Sequence, residues 1–243
     1  MRMSSGVLGA AAGAWLVSCA LVGCQQKSAE MPAPRVETVL TSEEQQKLTP
    51  AQVIEALQEG NQRFVVGDLT VRDHSAQVRA AVGGQFPKAA ILSCLDSRIP
   101  VEDVFDRGIG DVFVARVAGN FENTDILGSL EFATKVAGAK VVLVLGHEDC
   151  GAVKAAIDGV ELGNITPMLS NIQPAVGHFS DYTGDKSSKN EDFVEMVTEE
   201  NVRMTMKDIR SRSPIMKELE DAGSLKIVGG IYDMGTGRVN LIE

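Results

Sequence analysis

Five residues in two short segments carry most of the chemistry this sequence could perform. Cys94, Asp96 and Arg98 stand in CLDSR, and His147 and Cys150 stand in GHEDCG. Two thiols and an imidazole are a donor set that zinc favours, and three protein ligands leave a fourth tetrahedral position for water or substrate. Asp96 and Arg98, two residues apart, could join a carboxylate to a guanidinium by charge-assisted hydrogen bonds. Taken singly, each signal is weak. A lone His-x-x-Cys is common, a single histidine after a strand is more often structural, and Asp96 with Arg98 could merely steady a turn. In an exported chain the two cysteines could instead form one disulfide.

The elements that must position these residues follow from the apolar pattern. Buried parallel strands are expected at 89–94 (AAILSC), 112–117 (VFVARV) and 141–146 (VVLVLG), with an amphipathic helix over 126–137 between the last two. Upstream, Thr49 as N-cap, Pro50 at the first helical position and Gln52 three after the cap open a helix running to about Val66. Downstream, a long polar helix is expected over 191–212, its charges a solvated face and Met196, Met204 and Met206 packing residues. A short helix opened by Ser213-Pro214 and closed by Gly223 comes next. Two last strands, 226–232 and 238–242, flank a Gly-Thr-Gly turn. Alternating strands and helices imply an α/β fold, a mainly parallel central sheet of about five strands flanked by helices, with an N-terminal helical arm. In such sheets ligands bind beyond the carboxyl ends of the strands. Cys94, His147 and Cys150 all lie at such ends, so segments about fifty residues apart can meet there.

The pairing of CxDSR after one strand with HxxCG after another resembles the two metal motifs of β-class carbonic anhydrases. The likeness extends to Gln85 and Pro87 ahead of the first motif, to Gly110-Asp111, FVARVAGN over 113–120, GSLE over 128–131 and Gly151-Ala152-Val153. It covers roughly Pro50 to Ile242. The resemblance implies Cys94, His147 and Cys150 as ligands of one Zn²⁺ per chain, with Asp96 and Arg98 as the catalytic dyad. In a closed form known in the family this aspartate becomes the fourth ligand. Gln85 matches the family's substrate-side amide. The implied reaction is the reversible hydration of carbon dioxide to bicarbonate and a proton, and the implied assembly is a homodimer or tetramer. Arg116 and Tyr232 fall where some members regulate that closed form with bicarbonate. The tryptophan those members use is Ile91 here and the sole tryptophan is Trp15, so no such regulation is expected. Two rival functions on the same motifs are a carbon disulfide or carbonyl sulfide hydrolase and a non-catalytic zinc-binding lipoprotein. His74 and His178 are weak candidates for proton shuttling.

The N-terminus adds a destination. Arg2 followed by an uncharged stretch from Gly6 to Gly23 reads as an export signal over 1–23. Leu21-Val22-Gly23-Cys24 resembles the lipobox of bacterial lipoproteins, in which Cys24 is lipidated; an uncleaved anchor or an ordinary signal peptide would read similarly. Residues 24–46, rich in Pro, Glu, Gln and Ser, are expected to be a solvated tether, and 47–243 the folded domain. Gln25 after the cysteine would favour the periplasmic face of the outer membrane in a Gram-negative host. Composition is that of a globular chain, 44% hydrophobic and 23% charged, so neither disorder nor a multispanning membrane protein is expected. A net charge of −10 without a basic cluster argues against a nucleic-acid partner.

Overall fold

Five strands form one sheet in the order β2-β1-β3-β4-β5: β1 Ala89–Ser93, β2 Val112–Arg116, β3 Val141–His147, β4 Lys226–Tyr232 and β5 Val239–Ile242. The first four are parallel and β5 runs antiparallel to β4, as the strand and helix alternation implies. The computed structural model describes residues 38–242. The expected signal peptide, Cys24 and the first part of the tether lie outside the described residues.

The central strands β1 and β3 are buried along their whole length, which is why they read as continuous apolar runs. Helices cover both faces: α1 Ser42–Lys47, α2 Pro50–Val66, α3 His74–Ala80, α4 Val101–Val104, α5 Thr124–Glu131, α6 Gly151–Ile157, α7 Ile165–Leu169, α8 Gln173–His178, α9 Glu191–Arg212 and α10 Pro214–Asp221. On one face Val53 and Leu57 of α2 meet Ile91, Leu143 and Leu145. On the other, Val202, Met206 and Ile209 of α9 and Met216 of α10 meet Ala90, Val142 and Val144. A third cluster, beyond the carboxyl ends of the strands, gathers Cys94, Phe121, Cys150, Val153, Ile172 and Phe193.

Helix α2 begins at the expected capping box, with the Gln52 amide donating to Thr49 Oγ1 at 3.3 Å and the Thr49 amide donating to Gln52 Oε1 at 2.9 Å. It lies against the end of α4 through Gly60, where an added Cβ would sit 1.9 Å from the Phe105 carbonyl oxygen. Only glycine permits that approach. The helix expected over 126–137 divides into α5 and a wider π turn, Phe132–Val136. The stretch 151–190, left unassigned by periodicity, holds α6 to α8, each too short to show a clear apolar stripe.

The tether expected to reach residue 46 ends sooner. Thr41 and Glu44 form a second capping box, and the Gln45 side chain is buried. Its amide donates to Pro87 O at 2.7 Å and Ala137 O at 2.8 Å, so α1 is docked on its own domain. A single buried glutamine with two long-range partners outweighs the polar composition around it.

Asp106, just past α4, is fully buried in a left-handed conformation at φ 50°. Its carboxylate accepts from Arg63 Nε at 2.5 Å, from the Thr70 amide at 3.0 Å, from Thr70 Oγ1 at 2.7 Å and from Arg72. Burial pushes its pKa up, but these bonds to Arg63, Thr70 and Arg72 outweigh burial and bring it down to about 2. A carboxyl with a lowered folded-state pKa stabilises the fold above its unfolded value of about 3.9 and loses that contribution as the pH falls through the folded one. Asp106→Asn should therefore cost about 3 kcal/mol at neutral pH. Thermal denaturation should show a Tm lower by about 6–12 °C, with the gap from wild type narrowing as the pH is taken from about 4 towards 2.

Candidate metal centre and active site

Strand register brings the donors together. Ser93 of β1 lies opposite Leu145 of β3, so Cys94 and His147 emerge from neighbouring strands at the same edge of the sheet. The turn Glu148-Asp149, with Asp149 in a left-handed conformation at φ 55°, then carries Cys150 back to the start of α6. Donor atoms of Cys94, His147 and Cys150 all lie within 4.8 Å of one another, and all three residues are buried. The two sulfurs are 3.9 Å apart and both cysteines are free, which removes the disulfide alternative. A tetrahedral ion bound by two thiolates at ~2.3 Å would hold its sulfurs roughly 3.8 Å apart.

The imidazole is oriented for the same purpose. His147 Nδ1 donates to the Glu148 carbonyl at 2.8 Å, which leaves Nε2 as a bare acceptor. That atom is buried without a hydrogen-bond partner. A buried lone pair with no donor is costly unless a cation takes it. Residues of this type, spacing and orientation fit a metal ion.

Of the two thiols, Cys94 ionises first. A hydrogen bond from Cys150 lowers its pKa most; burial works against this, and the Gly119 and Asp96 amides add to the lowering. The Gly119 amide lies 3.3 Å from Cys94 Sγ. Cys150 is pushed the other way by its hydrogen bond to Cys94 and by burial, with the amides of Val153 and Ala152 opposing.

Asp96 and Arg98 form the expected pair. Arg98 Nε donates to Asp96 Oδ1 at 2.9 Å and Arg98 Nη2 to Oδ2 at 2.7 Å, a two-pronged fork, and the Arg98 amide also donates to Oδ1 at 2.9 Å. The Arg98 bonds hold the carboxyl well below the usual range despite partial burial. With both oxygens on Arg98, Asp96 stands apart from the three metal donors. Asp149 approaches Arg98 Nη1 at 3.7 Å and pairs with Lys154.

Gln85 is not brought to this cluster within one chain. It is exposed and precedes the N-terminal end of β1, whereas Cys94 follows its C-terminal end, a separation of about 16 Å along the strand alone. His74 opens α3 on the surface, and His178 pairs with Glu200 at 3.4 Å. Neither belongs to the cluster. Met206 is core, as expected, and Met204 packs at the edge of the third cluster.

Sequence reasoning missed two supports of the site. Gly119, at φ 85°, aims its amide at Cys94, and an added Cβ would meet Ile172 Cδ1 at 2.4 Å. Its carbonyl accepts from Asn201 Nδ2 of α9 at 2.8 Å. The glycine sits inside a motif that could have flagged it, but an asparagine within a polar helix gives no such signal.

Residues 89–239 match the family model described as carbonic anhydrase. Carbonic anhydrase 2 of Mycobacterium tuberculosis is 36% identical over 200 residues, covering 79% of this chain and 92% of that protein. Among solved structures, a β-carbonic anhydrase of Aspergillus fumigatus superposes with a TM-score of 0.64 at 26% identity, covering 70% of this chain and 82% of that one. A tetrameric β-carbonic anhydrase of Sordaria macrospora gives 0.61 at 26% identity, covering 68% and 85%. The parallel sheet with its Cys-His-Cys cluster is thus that of a metalloenzyme, and the chain belongs to the carbonic anhydrase family, in its β class.

Purified domain should carry about one metal ion per chain, measured by elemental analysis after dialysis. Cys94→Ser, His147→Ala and Cys150→Ser should each reduce metal content to near zero, whereas Glu148→Gln should retain it.

Proposed function

We propose that this chain interconverts carbon dioxide and bicarbonate with a zinc ion held by Cys94, His147 and Cys150. The observation that carries the reading is the buried, unpartnered Nε2 of His147 facing two thiols, beside an aspartate fixed by arginine. Zinc, when bound, supplies Lewis acidity and lowers the pKa of a water in the open position. Arg98 keeps Asp96 ionised and turned from the metal donors, and Asp96 accepts a hydrogen bond from the attacking oxygen and aims its lone pair at carbon. Water adds to carbon dioxide, bicarbonate leaves, and the released proton passes to buffer. Two thiolates cancel the charge of a divalent ion, so turnover is expected to climb with pH into the alkaline range.

Gln85 can serve such a site only in an assembly where another copy presents it. The tetrameric relative supports a homodimer or tetramer, as do the half-buried edge strand β2 and the exposed Phe132 beside its Phe113. The sequence of residues 1–24 supports export and lipidation at Cys24, and hence a place at the cell envelope. Replacing Cys24 by Ser should move the protein from the detergent phase to the aqueous phase in Triton X-114 partition of expressing cells; unchanged partition would remove the anchor from this reading.

Asp96→Asn should keep its metal but lose about 10²-fold or more in kcat for carbon dioxide hydration, read by stopped-flow with a pH indicator. A metal-loaded wild type that hydrates no carbon dioxide at alkaline pH would overturn the reading. Turnover of carbon disulfide in its place would favour the hydrolase alternative.

A further inference from the structure

We propose that Arg116 is a positioning residue for this reaction, a fork that fixes the turn carrying both a metal ligand and the working carboxylate. The inference rests on the function proposed above. Arg116 is the last residue of β2 and lies opposite Ser93, so its side chain leaves the sheet at the level where the chain turns from Cys94 towards Asp96. Its Nε donates to the Cys94 carbonyl at 2.9 Å, and Nη2 donates to the Asp96 carbonyl. One rigid planar group thus grips the backbone on both sides of Leu95, whose own side chain is 65% exposed.

That grip matters because the strand ladder ends here. The Val117 amide still reaches Ser93 O at 3.1 Å, and the next backbone-to-backbone bond is a long one from the Ile99 amide to Asp96 O at 3.4 Å. Between them, the Cys94 thiol and the Asp96 carboxylate must point to one place from residues two apart. Both gripped carbonyls belong to the residues that bear these groups, so a rotation of this turn would disturb thiol and carboxylate together. Displacement of reacting groups by about 1 Å is enough to cost on the order of 10²-fold in rate. Nε and Nη2 both face backbone carbonyls, so the guanidinium acts on the turn.

The test compares Arg116→Ala, Arg116→Lys and Arg116→Gln with wild type in four measurements: kcat and KM per metal-loaded site, metal release to a chelator, amide exchange at residues 95–98, and Tm. In Arg116→Ala, kcat should fall about ten- to a hundredfold, and metal should be released about tenfold faster. KM should stay within about twofold of wild type, because only the turn is loosened. Exchange should quicken at 95–98 but not in α9. Lysine and glutamine, each able to hold one carbonyl, should recover part of kcat and of metal retention, and they carry the comparison if the alanine variant does not fold. Unchanged kcat per metal-loaded site, a loss confined to KM, or a lower Tm without faster exchange at 95–98 would overturn the proposal. A wild type inactive on carbon dioxide would sink the proposed function instead, since exchange and metal release report the hold of Arg116 without reference to turnover.

Discussion

Ser93 must sit opposite Leu145, because that register alone sets Cys94 and His147 side by side at the end of the sheet. Neighbouring strands are ~4.8 Å apart, and ligands of one tetrahedral ion need donor atoms roughly 3.5–4 Å apart. A slip of one residue would shift β1 against β3 by ~3.3 Å and break the site. What forbids the slip is far from any chemistry. Ala89, Ile91, Val141, Leu143 and Leu145 face one core, Ala90, Val142 and Val144 the other, and a slip would present each set to the wrong neighbours. Metal geometry is in this sense a consequence of the apolar alternation in two short strands.

The second constraint is charge. Two buried thiolates beside an imidazole Nε2 that can only accept would be costly as a set, since each uncompensated buried ion costs several kcal/mol. The protein offsets part of this with backbone dipoles: the Gly119 amide faces Cys94, with Asn201 holding the peptide from behind. It does not offset all of it. The pair lowers the pKa of Cys94 and raises that of Cys150, so a cation that needs both thiolates would displace a proton. Binding is accordingly coupled to proton release and to the stability of the turns after β1 and β3. Arg98 plays a comparable part for Asp96, keeping a carboxylate charged next to a negatively charged donor set without letting it join that set.

How much of this was legible in the sequence depended on whether the signal was local. CLDSR and GHEDCG each sit within one turn, and the strands before them are continuous apolar runs, so the Cys-His-Cys cluster, the Asp96–Arg98 pair and the sheet class could all be read. The capping box of Thr49 and Gln52, with Pro50 between them, marked the start of α2 to the residue. Signals failed where a long-range partner decides. Gln45 looks like one more polar residue of a tether until Pro87 and Ala137 offer it carbonyls. Asn201 resembles any helix asparagine until Gly119 is seen opposite it. Nothing local to Arg116 shows that its guanidinium faces the carbonyls of Cys94 and Asp96, some twenty residues earlier.

Polarity of the sheet ties these observations to orientation. Every parallel strand starts at one end and delivers its chemistry at the other. Gln45 is fastened to the peptides before β1 and β3, and Val39 lies 4.0 Å from the position a Cβ on Gly110 would take, just ahead of β2. The N-terminal arm is therefore held to the end of the sheet where the strands begin, the same end that carries Gln85. Metal donors lie at the opposite end, about a strand length away. One directional feature of the sheet thus sets α1 and Gln85 at one end and the Cys-His-Cys cluster at the other.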